Sequence, residues 1–477
     1  MSSQPSAEGP APLPERPRAH AGYLAGVCFI AALGGFLFGF DTAVISGTVG
    51  YLKKQFALGA LMEGWVVTSA LIGCILGAAS AGTLSDRFGR KRVLLLSAVL
   101  FLVSALGCTV PERVPLLVAA RLVGGLGVGI ASMLSPMYIS ELSPAHLRGR
   151  LVALYQLAIT IGILVAYFSN AALQQMAERV LGEMPPGFWR WVFVDEVWRA
   201  MFGAEALPAV LFLGLLLVVP ESPRWLAKQG RDAEAQDILA RVVGRDEAAR
   251  EMVEIREAIS RESGSILQLL RPGLRVALLI GILLPLFSQI SGINVIIYYG
   301  TKIFSAAGFA LSESLGSQVV IGIINVTFTF VAIGLVDRFG RKPLLYFGVA
   351  GLVLSLSGVG LMFFLEITSG PLLLGLFFVY IACFAFSLGP VPWIVISEIF
   401  PTRIRGRAMS VGTFTIWAGC TAVSLTFPWL LENLGAARTF WLYALLVVPA
   451  LPFVWLVVPE TKGRTLEEIE QSWARSE

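Results

Sequence analysis

The sequence predicts an all-α membrane protein whose twelve transmembrane helices form two pseudo-symmetric six-helix bundles, with short cytoplasmic helices between the halves. Three observations lead to this fold class: the composition, the spacing of long apolar runs, and a set of motifs that occurs twice. Of the 477 residues, 56% are hydrophobic and only 14% are charged, whereas soluble domains carry about 25% charged residues. Lipid offers no partner for backbone polar groups, so the apolar runs are predicted to cross the bilayer as helices.

Twelve apolar runs are candidates for crossing a bilayer, which takes about 20 residues. We number them spans one to twelve, and they lie at 22–47, 61–84, 93–110, 114–139, 150–174, 200–219, 273–300, 317–336, 343–366, 371–397, 408–431 and 439–458. Lysine and arginine are concentrated on the side of the membrane that carries the termini. Because cytoplasmic loops are enriched in these residues, both termini are predicted to be cytoplasmic, in a multi-pass protein of the plasma (inner) membrane.

The spans and the polar segments divide the chain into domains. Residues 1–21 are rich in Pro, Ser and Ala, which predicts a disordered cytoplasmic N-terminal tail. Residues 22–219 and 273–458 are expected to form the N-terminal and C-terminal six-helix bundles. Between them, residues 220–272 mix charges of both signs with apolar residues at helical spacing, which predicts a cytoplasmic linker of short amphipathic helices. Residues 459–477 are left as a short cytoplasmic C-terminal tail.

The composition also excludes several functions. The net charge of +4 comes with cations in short loops between spans, which indicates topology and not nucleic-acid binding. The five cysteines show no CxxC spacing, and neither histidine has a partner at ligand spacing, so no metal or cofactor is expected. An enzyme is not expected, because the sequence offers no nucleophile–base pair and no phosphate-binding loop. We expect the protein to function as a monomer in the lipid bilayer.

Three motifs occur once in each half and in the same order. SDRFGRKR at 85–92 is repeated as VDRFGRKP at 336–343, and SELSPAHLRGR at 140–150 is repeated as SEIFPTRIRGR at 397–407. VPESPRW at 219–225 is repeated as VPETKGR at 458–464. Each pair follows the second, fourth or sixth span of its half. Two parallel six-helix halves are typical of a transporter whose site lies between the halves near the midplane of the membrane.

These motifs also carry a family resemblance. GTLSDRFGRK resembles the loop motif of the major facilitator superfamily, and PESPRWL, PETKG and the doubled E…RGR resemble its sugar porter family, over about residues 34–463. The chain is most similar to bacterial proton–sugar symporters of the xylose and glucose type and to facilitative glucose transporters. The resemblance implies that a monosaccharide moves together with a proton by alternating access. A facilitative uniporter without proton coupling and, with less support, a sugar sensor that does not transport remain as alternatives.

Repeated charges follow the even-numbered spans on the cytoplasmic side. Acids and bases so placed can link helix ends across the two halves, and the resemblance implies that they hold the outward-facing state closed at the cytoplasm. The alternative is that they only fix the topology. The predicted cytoplasmic gate consists of Asp86, Arg90, Glu141, Arg148, Glu221, Arg224, Asp337, Arg341, Glu398, Arg405 and Glu460.

Polar and aromatic residues inside the spans predict a sugar site. Amides and hydroxyls can bind a polyhydroxy ligand, and indole rings can cover its C–H surface. In span seven, Gln289, Asn294 and Tyr298 surround Gly292, which can break the helix. The resemblance implies sugar contacts from Gln156, Gln289, Asn294, Asn325 and Trp393, and a cavity lined by Phe38, Tyr298, Gly389 and Trp417. A single amide could instead join two helices.

The site departs from its relatives at three positions. Ser288 stands where relatives often carry a second glutamine, and Ile163 and Ile416 replace amides of the xylose symporter. The predicted site is therefore less polar, and the sequence does not identify the sugar.

Charged residues lie within spans one, four and six or near their buried ends: Asp41 in span one, Arg121 in span four and Glu205 in span six. Burial penalises a charged Asp41, whereas a nearby Arg121 would stabilise it. A carboxyl balanced between these effects can take up and release a proton as access alternates. The resemblance supports this role, since proton symporters carry an acid, an arginine and a glutamate at these positions. The alternative is a static ion pair between Asp41 and Arg121.

Overall fold

A computed structural model describes residues 21–144, 147–181, 184–260, 270, 274–367, 370–400 and 405–462. Within these ranges the regular structure is helical, with no strand. Ten helices are long and apolar enough to cross a membrane. The helix Arg90–Gly107 adds span three, and the run Ala408–Leu456 contains two spans because Gly435 breaks it at a φ of 77°. The twelve predicted spans are therefore present.

The N-terminal half contains spans one to six. They are Ala21–Gln55, Ala60–Phe88, Arg90–Gly107, Val114–Leu142, Arg148–Val180 and, in two pieces, Trp198–Gly203 and Ala206–Leu216. Most of these helices extend beyond the predicted apolar runs. Span one, for example, continues to Gln55 and ends with the two cations Lys53 and Lys54. Polar residues at such an end can reach water while the helix itself continues.

The C-terminal half contains spans seven to twelve, and spans seven, ten and twelve are interrupted. Span seven is Arg275–Ile290 and Ile293–Ala306, span eight Leu311–Phe339, span nine Arg341–Phe364, span ten Gly370–Phe386 and Val391–Ile399, and spans eleven and twelve lie in Arg405–Val447 and Ala450–Leu456. Gly292 adopts a φ of 85° at the break in span seven, a conformation that glycine adopts without steric cost. The predicted break in this helix is thus observed.

The described part of the linker, up to residue 260, contains the helices Pro223–Lys228, Asp232–Val243 and Arg245–Ser260. The first is capped by Ser222, whose hydroxyl accepts a hydrogen bond from the N–H of Trp225 at 3.2 Å. In the second, Leu239 and Val243 are buried while the other side is charged. These are the short amphipathic helices that the sequence predicts. We call the side of the molecule that carries them the linker face, and the other side the opposite face. Of the expected tails at 1–21 and 459–477, residues 1–20 and 463–477 lie outside the described residues.

Glycines bring the helices around the site into close contact. A side chain at Gly125 of span four would overlap the backbone of Ala70 in span two. A side chain at Gly39 of span one would overlap the carbonyl of Ile159 in span five. Small residues let helix backbones approach closely in membranes, where packing drives association. This packing holds span four against span two and span one against span five, and so positions the polar residues that span one carries.

Candidate functional site

The broken segment of span seven places two of the predicted amides side by side. Asn294 donates a hydrogen bond from Nδ2 to Oε1 of Gln289 at 2.6 Å. The two residues are five positions apart, and the left-handed turn at Gly292 brings them together. Ser288, which replaces an amide, instead donates from its hydroxyl to the carbonyl of Leu388 in the segment that interrupts span ten, at 3.0 Å. The amide pair therefore lies where spans seven and ten of the C-terminal half are interrupted.

Span eleven completes this cluster and connects it to the N-terminal half. The ring centroids of Trp417 and Phe38 lie 5.4 Å apart, which joins span eleven to span one. The hydroxyl of Tyr298 lies 3.6 Å from the sulfur of Cys420, one turn after Trp417. At Gly419, the side chain of Gln289 packs directly against the backbone. The structure therefore brings five predicted residues into one cluster between the halves: Phe38, Gln289, Asn294, Tyr298 and Trp417.

The four other predicted sugar residues are not joined to this cluster. Gln156, Gly389 and Trp393 are half-buried, and Asn325 is buried with its carbonyl accepting from the hydroxyl of Thr329. In the described part of the chain, no hydrogen bond or ring contact links these four residues to the cluster. They stay predictions for the sugar site.

The three ionisable residues of the spans are all buried. Asp41, Arg121 and Glu205 are exposed by only 4%, 3% and 2%. Asp41 Oδ1 lies 3.6 Å from the position that a Cβ would take at Gly124, which is one turn from Arg121 in span four. The guanidinium carbon of Arg121 lies 5.5 Å from the ring centroid of Phe202, three residues before Glu205 in span six. The three groups are close enough to interact electrostatically.

These charges are not fully satisfied. Nε and NH1 of Arg121 and Oε1 of Glu205 are buried without a hydrogen-bond partner among the described residues. No direct ion pair joins Asp41 to Arg121 within the described ranges, in contrast to the static pair that was the alternative. Buried and unpaired charged groups are costly, and they mark functional positions inside membranes. Asp41 follows Phe38 of the cluster by one helical turn in span one, so the acidic group and the polar cluster are neighbours.

On the linker face, the predicted gate residues of the N-terminal half form one cluster. Arg90 donates to both carboxylate oxygens of Glu141 at 3.1 Å and to Asp86 Oδ1 at 3.1 Å. Glu141 also accepts from the hydroxyl of Ser222 at 2.5 Å. Glu221 accepts from the backbone N–H of Arg90 at 2.9 Å. The cluster thus ties the start of span three to the end of span four and to the beginning of the linker.

The C-terminal half repeats this cluster. Arg341 donates to the two carboxylate oxygens of Glu398 at 2.9 and 3.2 Å, and Glu460 accepts from the backbone N–H of Arg341 at 3.0 Å. Burial opposes the charge of Glu460. The N–H groups of Lys462, Arg341 and Lys342 outweigh this effect and hold the pKa of Glu460 below its ordinary value. The sequence repeat is therefore also a repeat of contacts.

The prediction placed gate contacts between the halves in the outward-facing state, and the contacts in this structure lie within the halves. The ion pairs of Arg90 with Glu141 and of Arg341 with Glu398 each lie within one half. Arg148 donates from Nε to the carbonyl of Ser140, also within its half, at 3.1 Å. The other predicted gate residues give no such test: Arg224 lies in the first linker helix, and the side chains of Asp337 and Arg405 lie outside the described residues.

Among the described residues, the ion pairs between the halves lie on the opposite face, and the sequence did not predict them. Four charges meet there, Lys53 and Glu63 from the N-terminal half and Lys302 and Glu432 from the C-terminal half. The available signal was an acid, Glu63, at the start of an apolar helix on a side with few cations. Its partner lies 239 positions away, which a single sequence does not indicate.

The halves are thus held together on the opposite face. Of the described residues, every hydrogen bond between the halves comes from this face or from the middle of the spans, such as Tyr167 to the carbonyl of Ile297 at 3.1 Å. The linker face has no such bond in the described ranges. Cluster residues Phe38 and Asn294 nevertheless keep partial exposure. The halves are joined at the opposite face, and for this reason the gate charges on the linker face pair within their own half.

Two six-helix halves, a polar site between them and a group of buried charges in the N-terminal half define a membrane transporter of the alternating-access type. The family model described as "Sugar (and other) transporter" matches residues 27–473, and the chain belongs to this family. It is 42% identical over 460 residues to the arabinose-proton symporter of Bacillus subtilis (strain 168), covering 96% of this chain and 97% of that protein. It is 40% identical to the D-xylose-proton symporter of Escherichia coli (strain K12), covering 95% of this chain and 96% of that protein.

The fold is also similar to solved structures. The xylose transporter XylE from E. coli in a partially occluded inward-open conformation superposes with a TM-score of 0.81 at 38% identity, covering 93% of this chain and 100% of that chain. The family and the twelve-helix architecture predicted from the motifs are thereby confirmed.

Proposed function

We propose that this protein moves a monosaccharide across the plasma membrane together with a proton, by alternating access. The single observation that carries the proposal is the buried group of Asp41, Arg121 and Glu205 beside a polar and aromatic cluster between the halves. The family supports a transporter and not an enzyme. The relatives named as proton symporters for arabinose and xylose support the coupling to protons.

The cluster between the halves is suited to a sugar. The amides of Gln289 and Asn294 hydrogen-bond to each other at 2.6 Å, so sugar hydroxyls can take over these bonds when they enter. The rings of Phe38 and Trp417 belong to opposite halves. A sugar held between them would contact both halves at once, which lets its binding influence how they move. Gln156, Asn325, Gly389 and Trp393 extend the proposed sugar site.

The proton is assigned to Asp41. When Asp41 is charged, it interacts with Arg121 across the contact between spans one and four; when it is protonated, this attraction is lost. The unpaired atoms of Arg121 are then available to Glu205. A proton moving inward across 100 mV releases about 2.3 kcal/mol, which supports roughly fifty-fold accumulation of a neutral sugar.

The linker face is assigned to the cytoplasm, because most cations lie on that side. Both termini are then cytoplasmic, the bundles 22–219 and 273–458 are joined by a cytoplasmic linker, and the opposite face is external. The structure is therefore closed to the outside. The within-half clusters at Arg90 and Arg341 act as braces that keep each bundle rigid while the bundles rotate. A single chain contains both halves, so a monomer is sufficient.

The experiment is a pH trace with the purified protein in weakly buffered vesicles, on adding arabinose, xylose, galactose and glucose in turn. We expect the external solution to become more alkaline with the transported sugar only, and no change for Asp41→Asn. Asp195→Asn, at an exposed position on the opposite face, is the matched control and is expected to behave like the parent. Sugar uptake without a pH change would identify a facilitative uniporter. Sugar binding without any uptake would identify a sensor.

A further inference from the structure

We propose that four charged side chains on the opposite face form an electrostatic latch between the halves, and that Glu63 and Lys302 are positioning residues that set how often the external side opens. The latch consists of Lys53, Glu63, Lys302 and Glu432. The inference rests on the proposed function, since a latch is needed only if the halves part on this face during transport.

The charges alternate in sign, and each half contributes one lysine and one acid. Lys302 Nζ lies 2.7 Å from Glu63 Oε1 and 2.9 Å from Oε2. Lys53 Nζ lies 3.4 Å from Glu63 and 2.6 Å from Glu432, and Lys302 lies 3.9 Å from Glu432. Each lysine therefore contacts one acid from its own half and one from the other half. Separating the halves breaks the pairs Glu63–Lys302 and Lys53–Glu432 together.

Burial divides the latch into an inner and an outer pair. The side chains of Glu63 and Lys302 are exposed by 1% and 18%, whereas those of Lys53 and Glu432 are exposed by 39% and 41%. Water screens the outer pair, and exposed ion pairs contribute little. The inner carboxylate is different, because a buried charge is costly unless it is paired. Without Lys302 of the C-terminal half, Glu63 would keep only the longer contact, 3.4 Å, with the more exposed Lys53 of its own half.

A neutral layer lies next to the latch, deeper in the molecule. Thr301 donates from its hydroxyl to the carbonyl of Ser46 at 2.5 Å, and Gln318 donates from Nε2 to the hydroxyl of Ser46 at 2.5 Å. Ser46 is in span one, whereas the other two residues belong to the C-terminal half. Because Thr301 is adjacent to Lys302, the same end of span seven contributes one contact to the neutral layer and one to the latch.

Span seven connects the latch to the sugar cluster. Tyr299 has non-helical angles, with φ of −119° and ψ of 16°, so the helix bends between Tyr298 of the cluster and Lys302 of the latch. A bend lets the outer end of a helix move while the inner end remains in place. Changes at Tyr298 on sugar binding can thereby reach the latch within four residues.

The test measures the distance between the halves on the opposite face in full-length protein, without sugar and without a proton gradient. Spin labels are attached at Leu61→Cys and Trp429→Cys, both exposed positions near the external ends of spans two and eleven. The background lacks the five native cysteines and is first shown to take up sugar. The variants are Glu63→Gln, Lys302→Gln and their combination, and the control is Asp195→Asn. Its ion pair with Arg190 lies on the same face but within one half, at 3.3 Å.

We expect each single variant to raise the ratio of long to short distances by about tenfold, within the range of about 5–150-fold typical of coupled switches. In the double variant, the ratio of long to short distances should rise no more than in the single variant with the larger effect, because the two residues act on the same contact. Asp195→Asn should match the parent.

The latch is overturned if Glu63→Gln and Lys302→Gln both keep the parental distances, if their effects add independently, or if Asp195→Asn gives the same shift. The distances are measured without sugar, so they do not depend on the proposed function. If the label distances shift in the variants but the protein transports no sugar from the panel, the proposed function is refuted and the latch is not. Unchanged distances in variants that still accumulate sugar refute the latch alone.

Discussion

On the linker face, Arg90 pairs with Glu141 inside the N-terminal half, and Arg341 pairs with Glu398 inside the C-terminal half. On the opposite face, Glu63 of one half pairs with Lys302 of the other. Both kinds of pair are charged, short and at least partly buried. They differ in whether the two partners move together. A pair within one half is the same in every conformation and contributes to folding, whereas a pair between halves exists in only one state and biases the equilibrium.

The largest effect is expected from the N-terminal brace. Glu141→Gln leaves Arg90 with a weakened partner in a place where both side chains are only 7% exposed. Breaking a buried pair costs about 3–5 kcal/mol, so thermal unfolding in detergent should occur at a clearly lower temperature. The distance between labels at positions 61 and 429 should not change. Glu398→Gln is the matched variant in the other half, and a shift in the distances in either variant would break the comparison between the faces.

The sugar cluster lies between the two faces, and a substitution there should weaken sugar binding without changing the melting temperature. Gln289→Ala removes the acceptor of the 2.6 Å bond from Asn294 and should weaken sugar binding by about 1–3 kcal/mol. Isothermal titration calorimetry measures this loss, and the melting temperature without sugar is the control. Wild-type affinity in this variant would remove span seven from the sugar site.

The smallest effect is expected from the outer pair of the latch. Glu432→Gln removes a pair whose side chains are about two-fifths exposed, and such pairs contribute about 0.2–1 kcal/mol. The shift in the label distances should be small and should disappear at high salt, because salt screens exposed charges. The shift caused by Glu63→Gln should persist at the same salt. Equal salt dependence of both variants would contradict the division into an inner and an outer pair.

Much of this fold could be predicted because membrane insertion constrains the sequence strongly. The apolar runs gave the twelve spans, and Gly292 indicated the break in span seven, since a glycine there permits a φ of 85°. The motifs singled out Arg90 and Glu141, whose side chains pair at 3.1 Å in the structure. They could not indicate the partner of each charge, because a motif shows which charges are present but not which of them meet.

The latch shows where sequence reasoning ends. Lys53 and Glu432 lie 379 positions apart, and Lys53 alone resembles an ordinary cation at the end of a helix. The pairing depends on how two rigid halves come together, and that arrangement changes during transport. The cluster of Phe38 and Trp417 was easier to propose, because the family resemblance placed both residues at one cavity.

The central claim is that Asp41 couples the sugar to the proton, and uphill transport in vesicles tests it most directly. Two rates are measured in the same preparation: accumulation of radiolabelled sugar against its gradient at an imposed inward proton gradient, and exchange of labelled for unlabelled sugar at equal concentrations. For Asp41→Asn we predict that accumulation is abolished while exchange continues, because the site between the halves is intact and only the proton carrier is lost. Asp195→Asn should preserve both. Undiminished accumulation in Asp41→Asn would contradict the account.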